Sequence, residues 1–439
     1  MATVGILPRE DATNGWSRIL PPRRPAASLA ADLRADWLVV GAGFAGLAAA
    51  RRLALNRPED RIVLLEAHEV GEGASGRNSG FAIDLPHNVG GEFQELGEAE
   101  RYIRLSRAAI DHLDACVARH GIDCGYTRRG KYHAARSELG RRKILEPFAR
   151  SLDALGEPYR WLDAAGLERE IGTSYHSSAI YTPGGRLLNP AGLTRGLAAT
   201  LPGNVTLHER TPVLEVEERN GIRATTPGGT VAARAMILAV NGYAPQFSAF
   251  RGALLTFAGY GSLTRPLTEA EHRALGGVED WGLTPVNSIV GVTMRYTAER
   301  RILIRHRFRY APGLRRADAE MADIRLGHRR AFEARFPMLP EVGIEHSWRG
   351  FVCLSRNHAP GFGKVGPHSF AAVCQNVVGV TKGTISGVLA ADLATGRDNP
   401  LIADMEAQGK PARLPPAPFL DFGVHARLAL DEIRWRKER

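Results

Sequence analysis

"ADWLVVGAGFAGLAAARRLAL", residues 35–55, runs from an apolar stretch ending at Val40 through Gly41, Gly43 and Gly46 into a strong helix former. That is the pattern of strand, tight turn and helix. A second apolar stretch, "RIVLLEA" (61–67), follows, with Glu66 at its end, 20 residues after Gly46. This context lifts the G-x-G-x-x-G spacing above a bare pattern: Gly41 permits the turn, Gly43 lets backbone approach a pyrophosphate, and Gly46 lets helix pack on strand. The N–H groups and positive dipole end where the helix opens, at Phe44 and Ala45, then face the phosphates. Glu66, followed by Ala67, is placed to accept hydrogen bonds from ribose hydroxyls, and its charge disfavours a 2′-phosphate. "GFGKVG" (361–366) meets the same spacing but leads into a stretch with no helical period. It reads as a turn between strands.

Two further stretches extend the ligand beyond its phosphates. "GASGRNSGF" (73–81) follows the second strand at the edge of the sheet. Its glycines allow close approach of backbone, Ser75, Asn78 and Ser79 offer short polar groups, and Arg77 is placed to serve phosphates. In "NVVGVTKGTISGVLAADLATG" (376–396) a polar turn of Gly379, Val380, Thr381, Lys382, Gly383 and Thr384 precedes a helix expected from about Ile385. A second positive helix end plus Lys382 suits the electron-rich pyrimidine of a reduced flavin. No second well-formed dinucleotide fingerprint is present, so electrons are expected to come directly from the substrate. An NAD enzyme, the competing reading, would be colourless and leaves Lys382 and the second turn unexplained.

Composition narrows the class. A chain of 439 residues at 44% hydrophobic content exceeds one ordinary domain. No apolar stretch reaches the roughly 20 residues needed to cross a bilayer, so a soluble, uncleaved protein is expected. Cys116, Cys124, Cys353 and Cys374 form no C-x-x-C pair, which favours a reducing, cytoplasmic setting. Cys116 continues the apolar helical face of Ile103, Ile110, Leu113 and Val117 and reads as core. No metal is assigned. Net charge is +10, but the 57 basic residues, only six of them lysine, are interspersed with acids. A solvated surface follows, with no nucleic-acid partner. The densest basic run, "IRWRKER" (433–439), reads as a solvated C-terminal helix, with contact to anionic lipid as the other reading.

Together these motifs resemble the D-amino-acid-oxidase superfamily of FAD enzymes, in particular its γ-glutamylputrescine-oxidase-like branch, which carries a similar "GASGRN-G" loop. "TPVLEV" around Val213 is similar to the family strand whose backbone touches adenine. "MILAVNGYAP", with Asn241 and Gly242, is similar to a later turn beside the cofactor. The resemblance implies an α/β (α+β) fold: a discontinuous Rossmann-like FAD/NAD(P)-binding domain with an inserted substrate domain of mixed antiparallel sheet and helices. The expected division is an N-terminal arm (1–34), cofactor segments at 35–90, 175–245 and 345–398, substrate segments at 91–174 and 246–344, and a C-terminal tail and helix (399–439).

Departures from the family pattern shape the expected chemistry. Relatives with covalent flavin use a cysteine in the stretch "WRGFVCLSRNHAPGFG" (348–363); counting back from Asn357 puts that position near Gly350, so Cys353 is expected to be packing and FAD noncovalent. Glycine-oxidase-like relatives carry an arginine there that clamps the substrate carboxylate. Val352 occupies that register, with Arg349 and Arg356 as substitutes. The implied activity is therefore oxidation of the CH–NH bond of an amine by hydride transfer to flavin N5, giving an imine that hydrolyses. Asp84 is the candidate to hold a distal substrate ammonium, and His87 and His358 are candidates for proton handling. Related oxidases use a lysine on a substrate-domain strand to activate O2; the similar strand "RILIRHRF" carries Arg305. This leaves open O2 or an electron carrier as acceptor. The alternatives are a D-amino-acid or secondary-amine dehydrogenase and, from another class, a flavin-binding protein that acts on RNA or scaffolds a partner without turnover.

Overall fold

The computed structural model describes residues 1–9, 11–86 and 96–439. His87 and the expected boundary at 90/91 lie outside the described residues. The apolar runs read as buried strands form the centre of one sheet. Leu33–Val40 runs parallel to Ile62–Leu65 on one side and to Gly229–Leu238 on the other, and Ser369–Val373 joins Gly229–Leu238 in parallel. All four residues of Ile62–Leu65 are buried, as expected of a parallel strand covered on both faces. Among the described residues this sheet has nine strands. Gly361–Lys364 pairs antiparallel with Ser369–Val373, so "GFGKVG" enters a hairpin and no phosphate turn.

The glycine helix, Phe44–Asn56, packs on a second helix, Gly379–Thr395, at backbone contact. A Cβ on Gly387 would stand 2.0 Å from the Ala45 carbonyl oxygen, and one on Gly46 would stand 1.7 Å from that of Gly41. Farther along, Arg52 grips Asp392 with two bonds of 2.6 and 2.8 Å, and Asn56 adds a third at 2.8 Å. The second helix begins at Gly379, six residues before the expected Ile385. Thr384 Oγ1 donates to the Val380 carbonyl (2.7 Å) and Lys382 N–H to that of Val378 (3.1 Å), so the polar glycine stretch forms the first helical turns.

A second sheet, eight-stranded among the described residues, is mostly antiparallel and orders Ile344–Ser355, Leu254–Thr264, Ile302–Tyr310, Thr293–Tyr296, Trp281–Pro285, Lys131–Ala135, Ser178–Thr182 and Arg160–Asp163. Two strands of this sheet meet the expected segment boundaries. Ser178–Thr182 falls in the expected cofactor segment 175–245, and Ile344–Ser355 straddles the expected boundary between the substrate segment 246–344 and the cofactor segment 345–398. They hydrogen-bond instead in this second sheet, against Lys131–Ala135 and Leu254–Thr264. The helix Glu320–Arg335 covers one face of this sheet through Phe332, packed with Leu283, Met294, Ile302 and Ile304. Alternation along the strands turns Thr293, Arg295, Leu303 and Arg305 to the opposite face.

Gly387→Val should push the two helices apart at the Ala45 carbonyl, lowering stability by about 1–3 kcal/mol. Thermal denaturation should show this, whereas Gly396→Asn, at a left-handed helix end with open space around it, should leave the melting temperature nearly unchanged.

Candidate functional site

A cleft of about 540 Å³ lies where the two helices begin. Gly41 (φ +98°) turns beneath it, and neither Gly43 nor Val378, the caps of the two helices, supplies a capping side chain. Gly379 faces open space, with no atom within 4 Å of where a Cβ would stand. Both helix starts thus present backbone N–H groups to one cavity. Gly41, Gly43, Phe44, Ala45, Glu66 and Ala67 line it, as do Val213, Asn241, Gly242, Gly379 and Gly383. Val213 precedes its strand, which starts at Glu215. Gly46, Ser79, Val380, Thr381 and Thr384 are not among the lining residues; Gly46, Val380, Thr381 and Thr384 pack within the helices.

Glu66 accepts the Ala42 N–H (2.8 Å) on one carboxylate oxygen and the His68 N–H (3.0 Å) on the other. Desolvation nevertheless raises its pKa. Three buried polar atoms, His68 Nε2, Asn241 Oδ1 and Gln375 Nε2, have no hydrogen-bond partner among the described residues, and all three residues line the cleft. Beside Gln375, Cys374, Asn376 and Val377 all adopt positive φ, a strained course for a β-branched residue such as Val377 (φ +71°).

The loop 73–81 contains a helical turn, Ala74–Arg77. Ser75 Oγ accepts the Phe44 N–H (3.0 Å), tying the loop to the glycine helix. Asn78 donates to the Ser75 carbonyl (2.7 Å) and accepts the Gly80 N–H (2.8 Å). Ser75, Arg77 and Asn78 line the cleft, but the Arg77 guanidinium is held by Asp11 (2.6 Å), Glu72 (3.4 Å) and the Arg349 carbonyl (3.0 Å). Arg77 is therefore a strut of the loop, correcting the expectation that it serves phosphates.

Residues that escaped the sequence reading hold the loop from outside. Asn14 donates to the Gly71 and Gly76 carbonyls (2.9 and 3.1 Å), Trp16 Nε1 to that of Asn78 (2.8 Å) and Trp348 Nε1 to that of Arg77 (2.9 Å). Arg295, from the second sheet, donates to the carbonyls of Gly80 (2.9 Å) and Leu188. The N-terminal arm is thus part of the site; the capping asparagine and tryptophan in "NGWSR" (14–18) were the available signals.

The four catalytic candidates do not gather. Asp84 is 2% exposed and outside the cleft lining; Arg107 stands 3.7 Å from it but pairs more closely with Glu157 (2.5 Å), and Asp84 Oδ1 is buried without a hydrogen-bond partner among the described residues. Lys382 turns away from the cleft into a small cavity, its Nζ 4.7 Å from the centre of the Tyr102 ring, and desolvation lowers its pKa to about 8. Lys382, expected to stabilise a reduced flavin together with the helix end, thus lies outside the cleft lining, and Gln375 lines both cavities. His358 is exposed, and partial burial together with the Lys382 charge lowers its pKa. Arg305 shares the sheet face of Arg295. It donates to the Ser288 carbonyl (2.8 Å) and to Thr293 Oγ1, stacks over Phe308 (4.7 Å), and is pushed down to about 10 by desolvation. It has no carboxylate partner among the described residues.

The model of one protein family, FAD dependent oxidoreductase (DAO), matches residues 36–393. The chain belongs to this DAO family of FAD-dependent oxidoreductases. Among curated relatives of this DAO-family chain, the probable oxidoreductase OrdL of Haemophilus influenzae is 27% identical over 379 residues, 84% of each chain. The gamma-glutamylputrescine oxidoreductase of Escherichia coli K12 is 25% identical over 418 residues, 90% of each. Glycine oxidase from Geobacillus kaustophilus shares the fold at a TM-score of 0.71 and 21% identity, over 87% of this chain and all of that one. FAD is the cofactor, and the enzyme is an oxidoreductase.

Burial of Lys382 sets a pH-dependent cost. The unfolded chain binds the proton below the ordinary 10.5, the folded chain only below about 8. The cost is therefore complete below 8 and vanishes as pH rises through that window. Lys382→Met should raise the melting temperature at pH 7, with the gain shrinking between pH 8 and 10.5.

Proposed function

We propose that this enzyme oxidises the CH–NH bond of an amine of the γ-glutamylputrescine class, with FAD held noncovalently in the cleft and O2 as the acceptor, in the cytoplasm. The observation that carries the substrate reading is Val352, which lines the cleft from the strand Ile344–Ser355. The neighbouring Arg349 is turned to Asp318 (3.0 Å), and Arg356 is exposed. That strand therefore offers no free guanidinium for an α-carboxylate. The name of the Escherichia coli relative, gamma-glutamylputrescine oxidoreductase, points the same way.

The residues fit FAD. The N–H groups of the two helix starts suit a pyrophosphate and an electron-rich ring edge, Glu66 suits a ribose, and the unpartnered Asn241 Oδ1 and Gln375 Nε2 suit a polar ligand. Bound FAD would supply the hydride acceptor for the carbon beside a neutral amine nitrogen; the substrate would be left as an iminium, which gives up a proton to become the imine that water hydrolyses. The chain contributes position, exclusion of water and charge. Arg295 and Trp16 fix the loop backbone, while Phe81, Ile83, Leu187 and Val378 form an apolar wall beside it. Cys353 is buried, and hydrogen bonding with Cys374 and burial push its thiol up, which disfavours a thiolate that could bond the cofactor. Arg305 supplies a positive charge without a carboxylate partner, suited to an oxygen species that gains negative charge.

Anaerobic mixing with γ-glutamylated amines and diamines should bleach the flavin; bleaching by α-amino acids alone would contradict the substrate reading. Arg305→Gln should slow reoxidation by O2 about ten-fold or more while leaving anaerobic bleaching unchanged. Unchanged reoxidation would favour a dehydrogenase that serves an electron carrier.

A further inference from the structure

The C-terminal helix, Phe419–Arg434, has an inward and an outward face. One looks inward: Asp431 and Trp435 are buried, and Trp435 packs with Ile103 and Phe148, while the exposed His425 meets the Tyr310 ring edge-on at 5.9 Å. The other looks out. Phe419, Phe422, Leu430 and Ile433 are 73, 77, 63 and 70% exposed, although they are large hydrophobic side chains. With Ala426 their spacing of three, four, four and three places them on one stripe, an arc of roughly 80° at 100° per residue.

The helix is held at both ends, so the outward stripe is a fixed surface. Tyr310 anchors its start, and at its end Glu438 accepts the backbone N–H groups of Arg136 (2.8 Å) and Ser137 (3.1 Å). The acids of this segment are engaged. Asp431 is tied to Arg427 (2.9 Å), Glu432 to Arg439 (3.5 Å), Glu438 to the backbone and Asp421 to Tyr310. Arg413, Arg434, Arg436 and Lys437 remain exposed, with no ion pair among the described residues. Arg434, without an ion pair, flanks the stripe by helical angle, with Arg427, paired to Asp431, on the same side. Two copies of this face would bring like charges together, whereas an anionic bilayer surface meets both the apolar stripe and the positive flank.

We propose that this helix lies on an anionic lipid bilayer, inserting Phe419, Phe422, Leu430 and Ile433 among the acyl chains while the flanking arginines meet lipid phosphates. No helix among the described residues is long and apolar enough to cross a membrane, so the contact is interfacial. The helix rests on Tyr310, the last residue of the strand that carries Arg305.

The test is co-sedimentation of the full-length FAD-loaded protein with vesicles of phosphatidylglycerol or of phosphatidylcholine. Binding to phosphatidylglycerol should exceed binding to phosphatidylcholine and weaken as salt is raised. The triple variant Phe419→Ser, Phe422→Ser and Ile433→Ser should reduce it about ten-fold or more while keeping its flavin and melting temperature, since these side chains are exposed. Absence of binding to phosphatidylglycerol would overturn the proposal. So would a dimer in light scattering that the same triple variant dissociates. Neither result bears on amine oxidation, which flavin bleaching reads separately.

Discussion

Contact between two helix backbones organises this molecule. Gly387 lets the helix Gly379–Thr395 come against the Ala45 carbonyl, and Gly46 lets the helix Phe44–Asn56 come against the turn at Gly41. Because Arg52, Asn56 and Asp392 lock the same helices farther along, their starts are held at one cleft. The two positive ends create a place for a phosphorylated, electron-rich cofactor before any side chain is considered. The glycines therefore matter as missing volume more than as flexible joints.

A second constraint is the satisfaction of backbone carbonyls in the loop 71–80. A segment this rich in glycine has few side chains of its own to meet them, and a buried unpaired carbonyl is costly. Donors arrive instead from three remote regions: Asn14 and Trp16 from the N-terminal arm, Trp348 from one edge of the second sheet, and Arg295 from its interior. The loop is thus a junction between the two sheets, and its shape depends on residues far away in sequence. That arrangement fits a site in which positioning, more than a strong base, carries the chemistry.

The legible parts of the site were those whose cause is local. The turn through Gly41 and Gly43 and the position of Glu66 follow from strand, turn and helix adjacent in the chain, and the structure keeps them together. The helix at Gly379 was legible as an element but not in its start, because Thr381, Lys382 and Thr384 look like turn residues. Only the packing against Ala45 shows that they are helical. Arg77 and Lys382 take other partners for a related reason. A positive residue near an expected anion suggests pairing, yet Asp11 and Glu72 reach Arg77 first, and the rotation of the helix sends Lys382 to Tyr102. Such choices depend on neighbours that sequence spacing does not encode. Asp84 is a further case, since Arg107 belongs to a helix beyond the loop.

The account stands on FAD being held noncovalently between the two helix starts. The most direct measurement is the visible spectrum of the purified protein before and after denaturation and filtration. A flavin spectrum equimolar with the chain, passing entirely into the filtrate, is the predicted result. A protein that stays colourless after incubation with FAD, or flavin retained with the denatured chain, would contradict it.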